Sequence, residues 1–120
     1  MRINRFEDID GWKKARTLTT GVYKSSDAKG FRHDYALRDQ IRKASISIMA
    51  NIAEGYGAYS DKEFIRYLHY AKASASEVQS HLYVALDLGY SDESSFSELY
   101  QLAEECKKLI GGFIRYLKTE

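Results

Sequence analysis

The stretch DKEFIRYLHYAKASASEVQSHLYVALDL, residues 61–88, carries the pattern that decides the fold. Its apolar side chains recur at alternating intervals of four and three residues, at Phe64, Leu68, Ala71, Ala75, Val78, Leu82 and Ala85. That spacing predicts one long helix with a seam like that of a coiled coil, in which small alanines let a neighbouring helix approach closely. Ser60 and Glu63 fit the capping box that begins a helix, and Gly89 fits the residue after a helix end. About 28 residues at 1.5 Å per residue would give a rod of about 42 Å.

Three further helices are predicted around this stretch, with short polar breaks between them. The first extends roughly from Asp10 to Ser25, the second roughly from Asp34 to Tyr56, and the fourth begins near Ser95. Asp10 is the expected N-cap of the first helix, because its carboxylate can accept orphan backbone N–H groups. Short connections between long helices favour antiparallel neighbours. The sequence therefore predicts an all-α, antiparallel up-down four-helix bundle, with residues 1–120 forming one domain.

The second predicted helix is apolar on more than one face. One stripe consists of Leu37, Ile41, Ile48 and Ile52, and a second of Ile46, Met49 and Ala53. A helix of a monomeric bundle buries one wide stripe. The second stripe therefore predicts a subunit interface and a homo-oligomer.

Two pairs of glycines affect the helices. Gly55 and Gly57 close the second helix, where a positive φ is often required. Gly111 and Gly112 interrupt the fourth helix, and a glycine in a helix interior costs roughly 1 kcal/mol relative to alanine. The second pair indicates either close packing or a kink.

Composition limits the class of protein. The 120 residues include no proline and one cysteine, and the net charge at pH 7 is +1. A lone cysteine cannot form an internal disulfide, which fits a reducing compartment. The first residues, MRINRF, are too polar for a signal peptide, and no apolar run approaches the roughly 18 residues that cross a membrane. We therefore expect a cytoplasmic protein without a membrane partner.

Residue patterns that carry catalysis are not found in the sequence. It has no Walker loop, dinucleotide-binding glycine fingerprint or HExxH pattern. His33, His69 and His81 lie on different segments or faces, so they do not form the three or four converging ligands of a metal site. Cys106 falls on the apolar stripe of the fourth helix, where a buried structural thiol is expected. The sequence thus predicts a non-enzymatic protein without catalytic residues, metal or cofactor.

A polar stripe also lies on the second predicted helix. Its members, at intervals of seven, four and three residues, are Gln40, Ser47, Asn51 and Glu54. Unpaired polar groups among isoleucines are costly, so partners are expected, the candidates being Arg42, Ser74, Glu77 and water. The structural interpretation is a buried network that fixes helix register or oligomer geometry. The alternatives are a ligand or catalytic pocket and exposed contacts with a partner.

Positive charge is concentrated in the first half of the chain. Residues 1–60 carry 11 Lys/Arg and 7 Asp/Glu, whereas residues 61–120 carry 7 Lys/Arg and 10 Asp/Glu. Ordinary solvated surface accounts for such a difference, and a basic surface also attracts nucleic acid. The candidate nucleic-acid contacts are Arg5, Lys13, Lys14, Arg16, Arg38, Arg42 and Lys43.

Residues 35–55, YALRDQIRKASISIMANIAEG, contain a recognisable signature. They resemble the pattern Leu-x-x-Gln-Ile-Arg-Arg-Ala followed by Ser-Ile-x-x-Asn-Ile-Ala-Glu-Gly, with Lys43 where arginine is usual. Trp12 and Ala15 also fit, as do the downstream residues Ser60, Glu63, Phe64, Leu68, Ala71, Ser74 and Glu77. Over nearly its whole length the chain resembles the bacterial four-helix bundle proteins first described as encoded within 23S rRNA intervening sequences.

The resemblance implies more than the fold. The family also includes the accessory variability determinants of diversity-generating retroelements. Resemblance to those proteins implies a homopentamer that binds nucleic acid and a reverse transcriptase. Their binding surface is strongly basic, whereas this chain has a net charge of +1. The signature residues imply a structural role, in agreement with the structural interpretation of the polar stripe.

Two functional hypotheses follow. The first is a non-enzymatic homo-oligomer, a pentamer by resemblance, that is associated with rRNA intervening sequences and binds structured RNA or DNA or a nucleic-acid enzyme such as a reverse transcriptase. The second is a protein-interaction scaffold without nucleic-acid contact. A binding titration at several salt concentrations separates them, because phosphate contacts predict a steep loss of affinity with salt.

Overall fold

Four long helices form the chain, as the sequence predicts. The computed structural model describes residues 3–28 and 30–119. The helices are α1 (Asp10–Ser26), α2 (Tyr35–Tyr56), α3 (Asp61–Asp87) and α4 (Glu93–Lys118), with short 3-10 helices at Phe6–Asp8 and Phe31–His33. The described residues contain no β-strand. The prediction of an all-α protein is confirmed.

Side-chain caps mark the beginnings of α2, α3 and α4. Asp34 accepts a hydrogen bond from the Leu37 backbone N–H at 3.1 Å and so caps α2. Ser60 accepts from the Glu63 backbone N–H at 3.3 Å and caps α3, as the capping-box pattern predicts. Each cap satisfies one of the backbone donors that the first turn of a helix leaves unpaired.

Helix α1 starts at Asp10, as predicted, but the predicted N-caps of α1 and α4 need correction. Asp10 is the first residue of α1 rather than its N-cap, and Ile9 precedes it in an extended conformation. Helix α4 begins at Glu93, not near Ser95, because Asp92 accepts a 2.8 Å hydrogen bond from the Ser95 N–H. An aspartate is as good an N-cap as a serine, so the earlier of two acceptable caps is used.

The helices are antiparallel and form a closed ring. Helices α1 and α3 each pack against both α2 and α4. Between α2 and α3, Ser47 bonds to Ser74, whereas Gly55 lies against Phe64, so the partners run in opposite directions. The longest dimension is 47 Å, as expected for a bundle of helices with the length of α3. The bundle prediction is therefore confirmed at the level of the single chain.

The interior contains the predicted seam. Its seven residues, from Phe64 to Ala85, are all buried, and so are Ile48 and Ile52 on α2. Ile46, on the second apolar stripe of α2, is instead 45% exposed. The chain alone therefore leaves part of that stripe in contact with solvent.

The glycines have structural roles that differ from those predicted. Gly89 has a φ of +75° and ends α3 with hydrogen bonds from Gly89 N–H to Leu86 and from Tyr90 N–H to Ala85, a Schellman motif. The expected positive φ at Gly55 and Gly57 is wrong, since among the described residues only Gly30 and Gly89 have one.

Close packing explains Gly55 instead. A Cβ there would lie 2.7 Å from Cδ1 of Phe64 and 2.9 Å from Cβ of Tyr67. Helix α4 continues through Gly111 and Gly112 without a break. A Cβ at Gly111 would meet only the side-chain ends of Lys72 and Arg115, at ordinary distances. Neither of the two expectations for the α4 pair, a kink or close helix packing, is supported by these contacts.

None of the helices in the described part of the chain combines the length and apolar character that a membrane-spanning segment needs.

Candidate functional site

A broad cleft lies between the 3-10 helix at Phe6–Asp8, α1 and α4, and we call it the α1/α4 cleft. Its volume is about 1070 Å³. Its lining contains the cations Arg5, Lys13, Arg16 and Lys24, together with the carboxylates of Glu7 and Glu98. Gly21 lies at the helix contact, where a Cβ would stand 2.6 Å from Leu99. The cleft is thus a basic depression at a close junction of two helices.

An aromatic ring lies among these cations. Trp12 is half-buried and packs edge-on against Phe6, with ring centroids 5.3 Å apart. The guanidinium of Arg16 lies 5.9 Å from the centroid of the Trp12 ring, at the outer limit of a cation–π contact. Within the described residues Arg16 has no carboxylate within 4 Å, and Lys13 has only Asp10 at 3.9 Å. These two charges are available to an anionic ligand.

The other predicted nucleic-acid contacts lie elsewhere and are largely engaged. Lys14 pairs with Glu105 at 3.1 Å. Arg38 pairs with Asp39 at 3.0 Å, and its guanidinium lies 4.9 Å from the centroid of the Tyr35 ring. Arg42 and Lys43 lie on α2, and Lys43 is exposed. Of the predicted set, Arg5, Lys13 and Arg16 line the α1/α4 cleft, and Arg5 pairs there with Asp8 at 3.4 Å.

The side chain of Arg42, on α2, contacts the end of α1. Its Nε donates a 2.7 Å hydrogen bond to the hydroxyl of Ser26, which is fully buried. Its guanidinium also lies 4.5 Å from the centroid of the Tyr23 ring. Because a buried hydroxyl without a partner is costly, Arg42 stabilises the end of α1. It donates to neutral oxygens there, and among the described residues no carboxylate lies within 4 Å of its guanidinium.

The polar stripe of α2 faces α3 but is only partly buried. The Ser47 and Ser74 hydroxyls are 2.9 Å apart, which confirms Ser74 as a partner. The Asn51 amide donates to the Ser47 carbonyl at 2.9 Å and to its hydroxyl at 3.0 Å. Gln40 and Glu54 are exposed, so their expected burial is wrong for the single chain. The structural role of the stripe stays a prediction.

Two expected partners of this stripe are used elsewhere. Glu77 lies 3.1 Å from Nε2 of His81, one turn further along α3. Arg42 reaches α1, as described above. Glu77 and Arg42 do not contact the polar stripe because their side chains point away from it. Two residues on packed helices make contact only when both lie on the faces that meet.

A second polar network was missed by the sequence analysis. Gln79 is 6% exposed and lies between α3 and α4. Its amide nitrogen donates to the Glu104 carboxylate at 3.0 Å, and its amide oxygen accepts from Lys107 at 3.1 Å. The only sequence feature that indicates this network is a glutamine directly after the seam residue Val78. Its partners on α4 are distant in sequence, so a local pattern does not reveal them.

Cys106 is the potentially reactive thiol of α4. Cys106 is fully buried, as predicted, and burial raises the pKa of its thiol to about 12. A thiol with that pKa stays protonated at neutral pH and is a poor nucleophile. The described residues contain no group of three or more His, Cys, Asp and Glu side chains placed to hold a metal ion.

A sequence model described as "23S rRNA-intervening sequence protein" matches residues 7–112. The chain belongs to this family. The resemblance seen in residues 35–55 is confirmed, and the four helices of the bundle lie within or overlap the matched range.

Comparison with solved structures agrees about the fold of this 23S rRNA-intervening sequence family member. One match is the crystal structure of a protein of unknown function from the S23 ribosomal protein family of Bacteroides thetaiotaomicron, with a TM-score of 0.79. The two sequences are 23% identical, and the match covers 87% of this chain and 97% of that chain. At this identity the likeness concerns the fold. A search of curated proteins found no match.

The family signature includes Asn51, whose contribution can be measured. We expect Asn51→Ala to change the free energy of unfolding by less than about 1 kcal/mol, because the half-buried amide bonds within its own helix and alanine favours the helix more than asparagine does. Urea unfolding followed by circular dichroism checks this value. Gln40→Ala, on the same stripe but exposed, is the control and should stay within about 0.5 kcal/mol of the parent. A loss of 2 kcal/mol or more for Asn51→Ala, with a lower oligomer mass, would show that an interface buries the stripe.

Proposed function

We propose that this 23S rRNA-intervening sequence family member is a non-enzymatic, homo-oligomeric bundle that binds structured RNA through the α1/α4 cleft. The observation that carries the proposal is a cleft lined by four cations and two carboxylates, in which Arg16 lies beside the Trp12 ring. Arg5 pairs with Asp8, so Lys13, Arg16 and Lys24 are the main candidates for ligand contacts. The family takes its name from intervening sequences of 23S rRNA. A structured RNA is therefore the first ligand to test.

The chemistry of the cleft suits a nucleic-acid backbone. Lysine and arginine side chains contact phosphates, which supplies affinity and position but no base sequence. A half-buried indole with an arginine above it also offers a surface on which an unpaired base can stack. Glu7 and Glu98 restrict the basic area, so the ligand contacts a short segment of backbone in each subunit. Several subunits would then act together, which raises the overall affinity.

Assembly is part of the proposal. The outer face of α2 exposes Tyr35 and Ile46, with the half-buried Met49 and Ala53 beside them. Ile46, Met49 and Ala53 are spaced three and four residues apart and so share a face, and partly exposed apolar residues grouped in this way can mark an interaction site. The family resemblance favours a homopentamer. The same face also supports the second candidate, a scaffold that binds another protein and no nucleic acid.

The experiment is an RNA-binding titration with two matched triple variants. Lys13→Gln, Arg16→Gln and Lys24→Gln together neutralise three cations of the cleft. Arg32→Gln, Lys62→Gln and Lys118→Gln together neutralise three exposed cations outside it and change the net charge equally. Filter binding with a labelled RNA hairpin, from 50 to 300 mM salt, gives the affinity and its salt dependence.

We expect the cleft variant to bind the hairpin more weakly and to reduce the salt slope by about 2 to 3, since each lost phosphate contact removes about 0.9 from the slope on a duplex. The control variant should bind like the parent. Equal losses in both variants would place the RNA elsewhere. No salt-dependent binding by the parent protein would reject the RNA proposal in favour of the scaffold.

A further inference from the structure

A second basic depression lies on the other side of α4, and we call it the α3/α4 groove. It is lined by Lys72 from α3 and by Glu104, Lys107, Lys108, Gly111 and Arg115 from α4. Four cations therefore face one carboxylate. Three of the cations lie on α4, and helix packing adds Lys72 from α3. All four belong to the half of the chain whose net charge is negative.

The single carboxylate is held at the edge of the groove. Gln79, which is almost fully buried, donates to Glu104 and accepts from Lys107. The hydrogen bond from Gln79 lowers the pKa of Glu104, with a smaller contribution from the charges of Lys107 and Lys108. Glu104 thus stays ionised and lies 3.8 Å from Lys107. The buried amide of Gln79 holds both Glu104 and Lys107 in place, so these two side chains form one edge of the groove.

The remaining cations are not neutralised within the chain. Among the described residues, Lys72, Lys108 and Arg115 have no carboxylate within the 4 Å of an ion pair. The Nζ of Lys72 and an Nη of Arg115 lie 3.8 and 3.7 Å from the point where a Cβ would stand on Gly111. Two cations from different helices therefore converge over a residue that has no side chain. Like charges that converge on one point repel each other, and an anion bound between them offsets that repulsion.

We propose that the α3/α4 groove binds a compact diphosphate group. The volume of the groove, about 270 Å³, is below the roughly 300–1,000 Å³ of pockets for drug-sized ligands. Arginine binds phosphate oxygens through two parallel N–H groups, and lysine binds them as a point charge. A diphosphate, whose two phosphoryl groups share one bridging oxygen, carries about −3 at neutral pH. That charge matches the three cations of the groove that no carboxylate compensates, namely Lys72, Lys108 and Arg115. Gly111 leaves the floor open to the oxygens.

The test is isothermal titration calorimetry with inorganic pyrophosphate at about 0.15 M salt. Lys72→Gln with Arg115→Gln removes the two converging cations, and Lys62→Gln with Lys118→Gln is the control with the same change in charge. We expect one site per chain in the parent and in the control, and at least tenfold weaker binding in the groove variant. Circular dichroism verifies that all variants are folded. ADP is titrated in parallel: tighter binding of ADP assigns the site to the diphosphate of a nucleotide, and equal binding assigns it to free diphosphate.

Three results would overturn the proposal. The first is the absence of pyrophosphate binding by the parent protein. The second is an equal loss of affinity in the groove and control variants, which would mean diffuse charge attraction. The third is a groove variant that loses RNA affinity but binds pyrophosphate as tightly as the parent does, since the groove would then belong to a nucleic-acid surface.

Discussion

Replacing Ile48 with alanine should lower the free energy of unfolding by about 2–5 kcal/mol. Ile48 is 0% exposed in the centre of α2, so the substitution removes methyl and methylene groups from a packed interior and leaves a cavity. A loss of this size is a large part of the 5–15 kcal/mol that typically holds a domain folded. Urea unfolding at several protein concentrations measures it.

Ile46 provides the matched control, two residues earlier on the same helix. It is 45% exposed, and Ile46→Ala should change the stability of the single chain by about 0.5 kcal/mol or less. If the outer face of α2 forms the subunit interface, Ile46→Ala should also reduce the mass measured by light scattering. A parent protein that is monomeric at micromolar concentrations would contradict the homopentamer. Equal losses of stability at positions 46 and 48 would contradict the burial described for α2.

Gly55→Ala should destabilise the protein by about 1–3 kcal/mol, even though alanine favours a helix over glycine. The added methyl group would stand 2.7 Å from Phe64 and 2.9 Å from Tyr67. Phe64 also packs against Phe113, with ring centroids 5.4 Å apart, so it cannot turn away freely. Thermal unfolding followed by circular dichroism should show a clearly lower midpoint.

Gly112→Ala is the comparison variant, and its expected effect on stability is opposite to that of Gly55→Ala. Its Cβ would have only the end of Arg115 nearby, at 3.8 Å. Without a steric cost, the helix preference of alanine should raise the stability by up to about 1 kcal/mol. An increase at Gly55 or a decrease at Gly112 would show that packing around these glycines differs from that described.

The sequence predicted the helices well because their cores follow a simple period. The seam of residues 61–88 located α3 to within one residue of its end, at Asp87. The start of α1 at Asp10 was also predicted. The start of α4 was less accurate, because Asp92 and Ser95 are both acceptable caps and only the folded backbone selects one. The role of Gly55 was not predictable either, because its close contacts come from α3.

The candidate sites were predictable only where their residues are neighbours in sequence. Lys13 and Arg16 are three positions apart on one helix, so they share a face and lie in one cleft. Lys72 and Arg115 meet only through the register of α3 against α4, which no local pattern gives. Counting charge by halves of the chain concealed the α3/α4 groove, since a count averages over all faces of a helix.

The position of Trp12 has a practical consequence for distinguishing the two basic sites. It is the single tryptophan of the chain, it lines the α1/α4 cleft, and α4 separates it from the α3/α4 groove. Its ultraviolet emission is therefore a built-in optical reporter of one site alone. A ligand that occupies the cleft should quench or shift that emission, whereas pyrophosphate in the groove should leave the spectrum unchanged.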